Sequence, residues 1–190
     1  MPKTNVSRTV AYGGMLAALI LVVTRFSAIP IMNGQGYLNL GDVTILFVAL
    51  AFGPAWGMGV GAVYGLLQFV IEPYSAHWAS VILDYPLAFG LLGLAGFFAV
   101  PKADRLEERQ ILRRLGGIRW PMVIVAVLTG MFGRTISHVL SGIVFYASYA
   151  GDQNPLIYSL VYNLSYMVPE AMITLIILVP LAAVFRKKGN

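Results

Sequence analysis

Apolar residues along this chain come in blocks too long and too uniform for the alternation of a half-buried strand or the one-sided stripe of a soluble helix. A membrane-crossing helix needs about 20 mostly apolar residues, and Gly, Pro and charged residues divide the sequence into six such blocks, at 9–28, 38–53, 54–72, 79–100, 121–147 and 155–185. The pattern predicts an all-α integral membrane protein, a six-transmembrane-helix bundle forming a single membrane domain over 1–190. The second block is short and meets the third through "FGPAWG". The last is long enough to be tilted or to begin as an outer loop.

Composition agrees, since 58% hydrophobic and 11% charged residues exclude an ordinary soluble domain. Charge then gives direction. Lys3 and Arg8 precede the first block, and Lys102, Arg105, Arg109, Arg113, Arg114 and Arg119 lie between the fourth and fifth. Arg186, Lys187 and Lys188 follow the last, and no Lys or Arg falls between Arg25 and Lys102. By the positive-inside bias, both termini and the 101–120 loop are cytoplasmic. Topology thus accounts for the net charge of +5, with no nucleic-acid partner needed. Trp56 and Trp120 then fall at the inner interface and Trp78 at the outer one. The 102–119 stretch has the mixed spacing of a short surface helix, either a solvated connector or a docking element for a partner. The run from Val10 to Ile29 is too long for the core of a cleavable signal.

Topology converts sequence position into depth. At 1.5 Å per helical residue, His138 lies roughly 13 Å below the outer end of its helix, Asn163 roughly 12 Å and Asp84 about 7 Å, with Tyr85 next to it. Tyr146, Tyr149 and Tyr158 would rim the layer. Ionisable groups at such depth face the bundle interior or a hydrated cavity. A lone carboxylate in "VILDYPLAFG" requires a cation, a donor or a proton, whether from a structural partner or a ligand. Arg134 and Glu170 come out roughly 20 Å deep and are expected to pair beneath the pocket. Glycines at 53, 57, 61 and 65, and at 90, 93 and 96, predict closely packed helices. Gly14 and Ala18 make a further small-residue face on the first helix, whose partner could lie outside the chain.

Several chemistries find no support. The sequence has no P-loop, no H-E-x-x-H and no nucleophile elbow. With two histidines and no cysteine a metal site is not expected, and no cofactor is implied. Uphill transport would draw its energy from a partner or an ion gradient. An intramembrane enzyme using Asp84 and His138 as acid and base is a separate reading.

Three segments, "GGMLAALI", "LDYPLAFGLLGLAGFF" and "RTISHVLSGIVFYASYAGDQNPLIYSLVYNLSYMVP", resemble those of the thiamine-specific substrate-binding (S) components of energy-coupling factor (ECF) transporters. The third joins H-x-x-x-G, whose glycine is Gly142, to an aromatic four residues on and to Y-S-L-x-x-N beyond the loop. The segment "LNLGDVTILFVALAFGP" is similar to S components for several vitamins.

The resemblance implies a six-helix S-component fold in the bacterial plasma membrane. It implies capture of thiamine from outside and association with a coupling transmembrane protein and two ABC ATPases, not enzymatic activity. Asp84, Tyr85, His138, Tyr146, Tyr158 and Asn163 map to the ligand-binding positions, and Gly14 and Ala18 to the contact with the coupling protein. Tyr37 and Gln35, in the first outer loop, stand where some members carry a lid tryptophan. Riboflavin, hydroxymethylpyrimidine or another vitamin is the alternative ligand. Asp84 suits a thiazolium, Tyr146 a ring to stack, and Asn163 the edge of an aminopyrimidine.

Overall fold

A computed structural model of the chain describes residues 6–31, 36–99, 115 and 117–189. Five helices are long and apolar enough to cross a membrane. These are α1 (Val6–Ser27), α3 (Pro54–Ile71), α4 (Trp78–Phe98), α5 (Trp120–Phe145) and α6 (Pro155–Gly189), while α2 (Gly41–Phe52) is shorter. Their bounds follow the apolar blocks closely. At 35 residues, α6 is about 52 Å long, far more than a bilayer core requires. Most of the 101–120 loop lies outside the described residues, but Leu115 and Ile118 at its end are buried in the core.

The second block departs from expectation in two ways. Its helix has only 12 residues, a length of about 18 Å, and cannot span the bilayer alone. The segment before it forms an antiparallel hairpin, β1 (Ile29–Ile31) and β2 (Gly36–Leu38), with Pro30 opposite Tyr37. The helix also starts deep. A Cβ at Gly41 would lie 3.3 Å from the Tyr64 hydroxyl, and Tyr64 is about 10 Å below the end of α3. Irregular backbone is tolerated at membrane depth where protein encloses it. Here Leu40 N donates to Ser27 Oγ at 2.9 Å, and Asn39 binds α6.

Buried on nearly every side, α2 is the hub of the bundle, and Ile45, Leu46 and Ala49 are fully enclosed. Large side chains on the outer faces are bare, Phe26 at 89% and Val70 at 74% exposure, as lipid-facing positions should be. Helices in a bilayer gain little from excluding water, so close packing must hold them. The glycine stripe serves that purpose. A Cβ on Gly61 would lie 2.3 Å from the Phe89 carbonyl oxygen, so α3 and α4 touch backbone to backbone.

Inside α4 the regular ladder breaks. Pro86 has no N–H to donate, and Leu83–Leu87 adopts a π-turn, followed after one α-turn by a 3-10 stretch at Leu92–Phe98. The Ser137 hydroxyl of α5 donates to the Leu83 carbonyl at 2.6 Å. Such turns concentrate at functional sites, and this one carries Asp84 and Tyr85.

Candidate functional site

A cavity of about 650 Å³ opens between α3, α4, α5, α6 and the outgoing strand of the hairpin. Its size falls within the range of small-molecule pockets. Asp84, Tyr85, His138, Gly142, Tyr146, Tyr158 and Asn163 all line it, as does Tyr37. The polar residues read as one layer therefore do converge. Gln35 lies outside the described residues.

The acid comes from the π-turn and its partners from α5. Asp84 Oδ1 is 3.1 Å from His138 Nδ1, and Asp84 Oδ2 accepts from Ser141 Oγ at 2.7 Å. His138 Nε2 is buried and has no partner among the described residues. Ser141 is fully buried, and nothing in its sequence context marked it.

Above this pair stands an aromatic wall. Tyr146 stacks on Tyr74, their centroids 5.9 Å apart and planes 11° from parallel, and meets Tyr149 edge-on. Tyr158 stacks on Tyr162, which in turn meets the ring edge of Tyr166. The connection from α3 to α4 is laced to this wall. Tyr85 donates its hydroxyl to the Tyr74 carbonyl at 3.0 Å, Ala76 N donates to the Tyr146 hydroxyl at 3.2 Å, and Tyr74 donates to Tyr149 at 3.2 Å. The bond to Tyr149, and then burial, hold the Tyr74 phenol above its ordinary pKa.

Two of these side chains are engaged within the protein, and for Asn163 the expectation needs correction. Tyr146 has one ring face covered by Tyr74, which leaves the other for stacking. Asn163 does not offer a free donor–acceptor edge. Its Nδ2 donates to the Ser159 carbonyl at 2.9 Å, and its Oδ1 accepts from the Tyr166 hydroxyl at 2.5 Å. Gly142 acts by absence: a Cβ there would lie 2.1 Å from Ser159 Oγ.

The cavity floor is ionic. Arg134 Nη1 donates to Glu170 Oε2 at 3.0 Å, the pair expected from depth, and also to Asp42 Oδ2 from the start of α2. All three side chains are almost fully buried. The guanidinium carbon lies 4.6 Å from the centre of the Phe89 ring, a cation–π distance. Glu170 Oε1 accepts from the backbone N and Nδ2 of Asn39, at 3.3 and 3.2 Å, which ties the residue after the hairpin to the floor. Asp42 Oδ1, Arg134 Nε and Thr174 Oγ1 have no partner among the described residues.

Gly14 and Ala18 are both exposed on α1, and open space surrounds the position a Cβ on Gly14 would take. Next to the main cavity a smaller hollow of about 270 Å³ lies between α1 and α3. It shares Tyr37, Asn39, Gln68 and Glu72 with the main cavity, and the exposed pair Arg25–Glu72 borders it.

Comparison with known proteins agrees with this architecture. The profile of the "Thiamine transporter protein (Thia_YuaJ)" family matches residues 10–189. Thiamine transporter ThiT of Bacillus subtilis is 33% identical over 164 residues, 85% of this chain and 82% of that one. Thiamine transporter ThiT of Lacticaseibacillus paracasei is 30% identical over 133 residues, 66% of this chain and 63% of its own. A solved structure of ThiT from Listeria monocytogenes superposes with a TM-score of 0.71 at 21% identity, covering 90% of this chain and 91% of that one, and is similar in fold.

Proposed function

The chain belongs to the thiamine transporter protein family Thia_YuaJ, a family of multi-pass membrane proteins, and from that premise we propose that it is the thiamine-binding S component of an ECF importer. The observation that carries this reading is the charge of the pocket. Asp84 is held by an imidazole and a hydroxyl, neither of which is an obligate cation, while the guanidinium of Arg134 is matched by two carboxylates. A negative centre ringed by aromatic faces attracts an organic cation. Thiazolium is permanently charged, and the linked aminopyrimidine brings a second flat ring and hydrogen-bonding groups for the rest of the cavity.

In the mechanism we propose, the hairpin end faces outward and both termini face the cytoplasm. Thiamine enters under the hairpin and the Tyr74 loop. Asp84 balances the thiazolium charge, Tyr146, Tyr158 and Tyr162 supply ring faces, and Tyr37 closes above, with Gln35 on the same loop. The sequence has no ATP-binding loop of its own, so release inward is driven by two partner ABC ATPases through a coupling membrane protein. The open Gly14–Ala18 face of α1 supports that contact, since small residues let another helix approach closely.

Calorimetry on the purified protein tests the ligand. Thiamine and pyrithiamine should titrate to one site while riboflavin and free hydroxymethylpyrimidine bind weakly or not at all. Tight binding of neutral riboflavin with no thiamine heat would overturn the proposal. Co-purification with a coupling protein, lost in Gly14→Leu, tests the assembly.

A further inference from the structure

Asp84 borders the cavity, yet both of its oxygens are already engaged by α5. Oδ2 accepts from Ser141 and Oδ1 faces His138 Nδ1, from side chains one helical turn apart. The imidazole has a second nitrogen. Nε2 is buried, belongs to a cavity-lining residue and has no partner among the described residues. A buried polar atom left in that state costs free energy until something satisfies it.

The surroundings determine what Nε2 offers. A carboxylate only accepts hydrogen bonds, so the proton between the two side chains sits on Nδ1. A doubly protonated ring would add a cation one turn from Arg134 on the same helix, in a cavity suited to a cationic ligand. Asp84 from α4 meets the ring at Nδ1 and the Tyr166 ring of α6 lies edge-on to it, while the charges of Arg134 on α5 and Asp42 on α2 act on it through space. Asp42 is engaged by Arg134, and the Tyr166 hydroxyl is spent on Asn163. Among the described residues Asp84 alone meets a ring nitrogen, and it leaves the Nε2 lone pair turned away from it.

We propose that Ser141, Asp84 and His138 act in series to fix the imidazole tautomer, so that His138 Nε2 is a buried acceptor selecting ligands that carry an amino group. This rests on the thiamine reading, where the donor is the exocyclic amine of the pyrimidine. Ser141 is a positioning residue: it touches no ligand and acts by holding Asp84. The carboxylate thereby has two effects, one through its charge and one through the ring it orients.

The two effects separate when thiamine is compared with oxythiamine, which has the same thiazolium but a carbonyl oxygen in place of the amine. Calorimetry of the wild type should favour thiamine by about 100-fold or more, because oxythiamine would set two buried acceptors face to face. Asp84→Asn should weaken thiamine and shrink that preference below about tenfold, since an amide can donate to Nδ1 and move the ring proton to Nε2. Ser141→Ala should reduce the preference several-fold. If Asp84 acted by charge alone, Asp84→Asn would weaken both ligands equally and leave the ratio unchanged, which overturns the inference. Nitrogen-15 NMR of the unliganded wild type provides a second readout, with the His138 proton expected on Nδ1. His77, whose Nδ1 accepts from Ala79 N at 3.1 Å, should give the opposite tautomer as an internal reference. A proton on His138 Nε2 would refute the proposal even where a variant fails to fold. A wild type that binds neither ligand would defeat the thiamine reading and this inference with it, a result distinct from one that binds both alike.

Discussion

Arg134 and His138 lie one turn apart on α5, yet the two polar clusters built around them are opposites. The lower one is sealed: three side chains almost free of solvent, each charge facing an opposite charge, with Asn39 stitched to one end. The upper one is open. His138 and Asp84 keep 13% and 17% of their side-chain surface exposed, and one ring nitrogen has no partner among the described residues. Both sit at a depth where ionisable groups are expensive. What separates the two is the pairing of charge and its place: the lower carboxylates close on a guanidinium away from solvent, whereas the upper carboxylate borders the cavity with no guanidinium or ammonium bound to it.

That contrast can be broken from below first. Arg134→Leu leaves two buried carboxylates facing each other and should cost about 3–5 kcal/mol, enough to abolish a folded, monodisperse protein in detergent. Exchanging Arg134 and Glu170 should not restore it, because Asp42 would then face a glutamate. Adding Asp42→Asn to the exchange should recover part of the loss, as measured by thermal unfolding. An exchange that folds as well as the wild type would remove Asp42 from the cluster.

From above, Asp84→Asn should lower thiamine affinity on the order of 100-fold while shifting the unfolding midpoint little, because the amide keeps the shape and the contact with Ser141. A large fall in stability with unchanged affinity would make Asp84 part of the scaffold. Tyr146→Phe keeps the ring and removes the hydroxyl that accepts from Ala76 N, so it should cost about 1 kcal/mol or less in affinity, visible by calorimetry. At the exposed rim, Arg25→Gln breaks a solvated ion pair with Glu72. Thermal unfolding should register the smallest change of the set there, within about 0.5 kcal/mol of the wild type.

The sequence made one of these clusters easier to see than the other. Arg134, His138, Asn163 and Glu170 lie on long helices, where counting residues gives depth, and their convergence was legible for that reason. Asp42 was not, although it sits in the conspicuous segment "LNLGDVTILFVALAFGP". Depth counted from the outer membrane face presumes a helix that begins there, and α2 begins well inside. Tyr74 was missed because connection residues carry no periodicity, and its position depends on hydrogen bonds to Tyr85 and Tyr149, which no local pattern announces. The π-turn around Pro86 was also illegible, since a proline in an apolar block reads equally well as a kink.

The abbreviated α2 has one more implication. A helix that fell about 12 Å short of a bilayer core about 30 Å thick would forgo a cylinder on the order of 900 Å³, taking a diameter of about 10 Å. The chamber beside it measures about 650 Å³. Tyr37 and Asn39, the residues just ahead of the shortened helix, form part of its wall, so a thin ribbon of chain stands here in place of a full column.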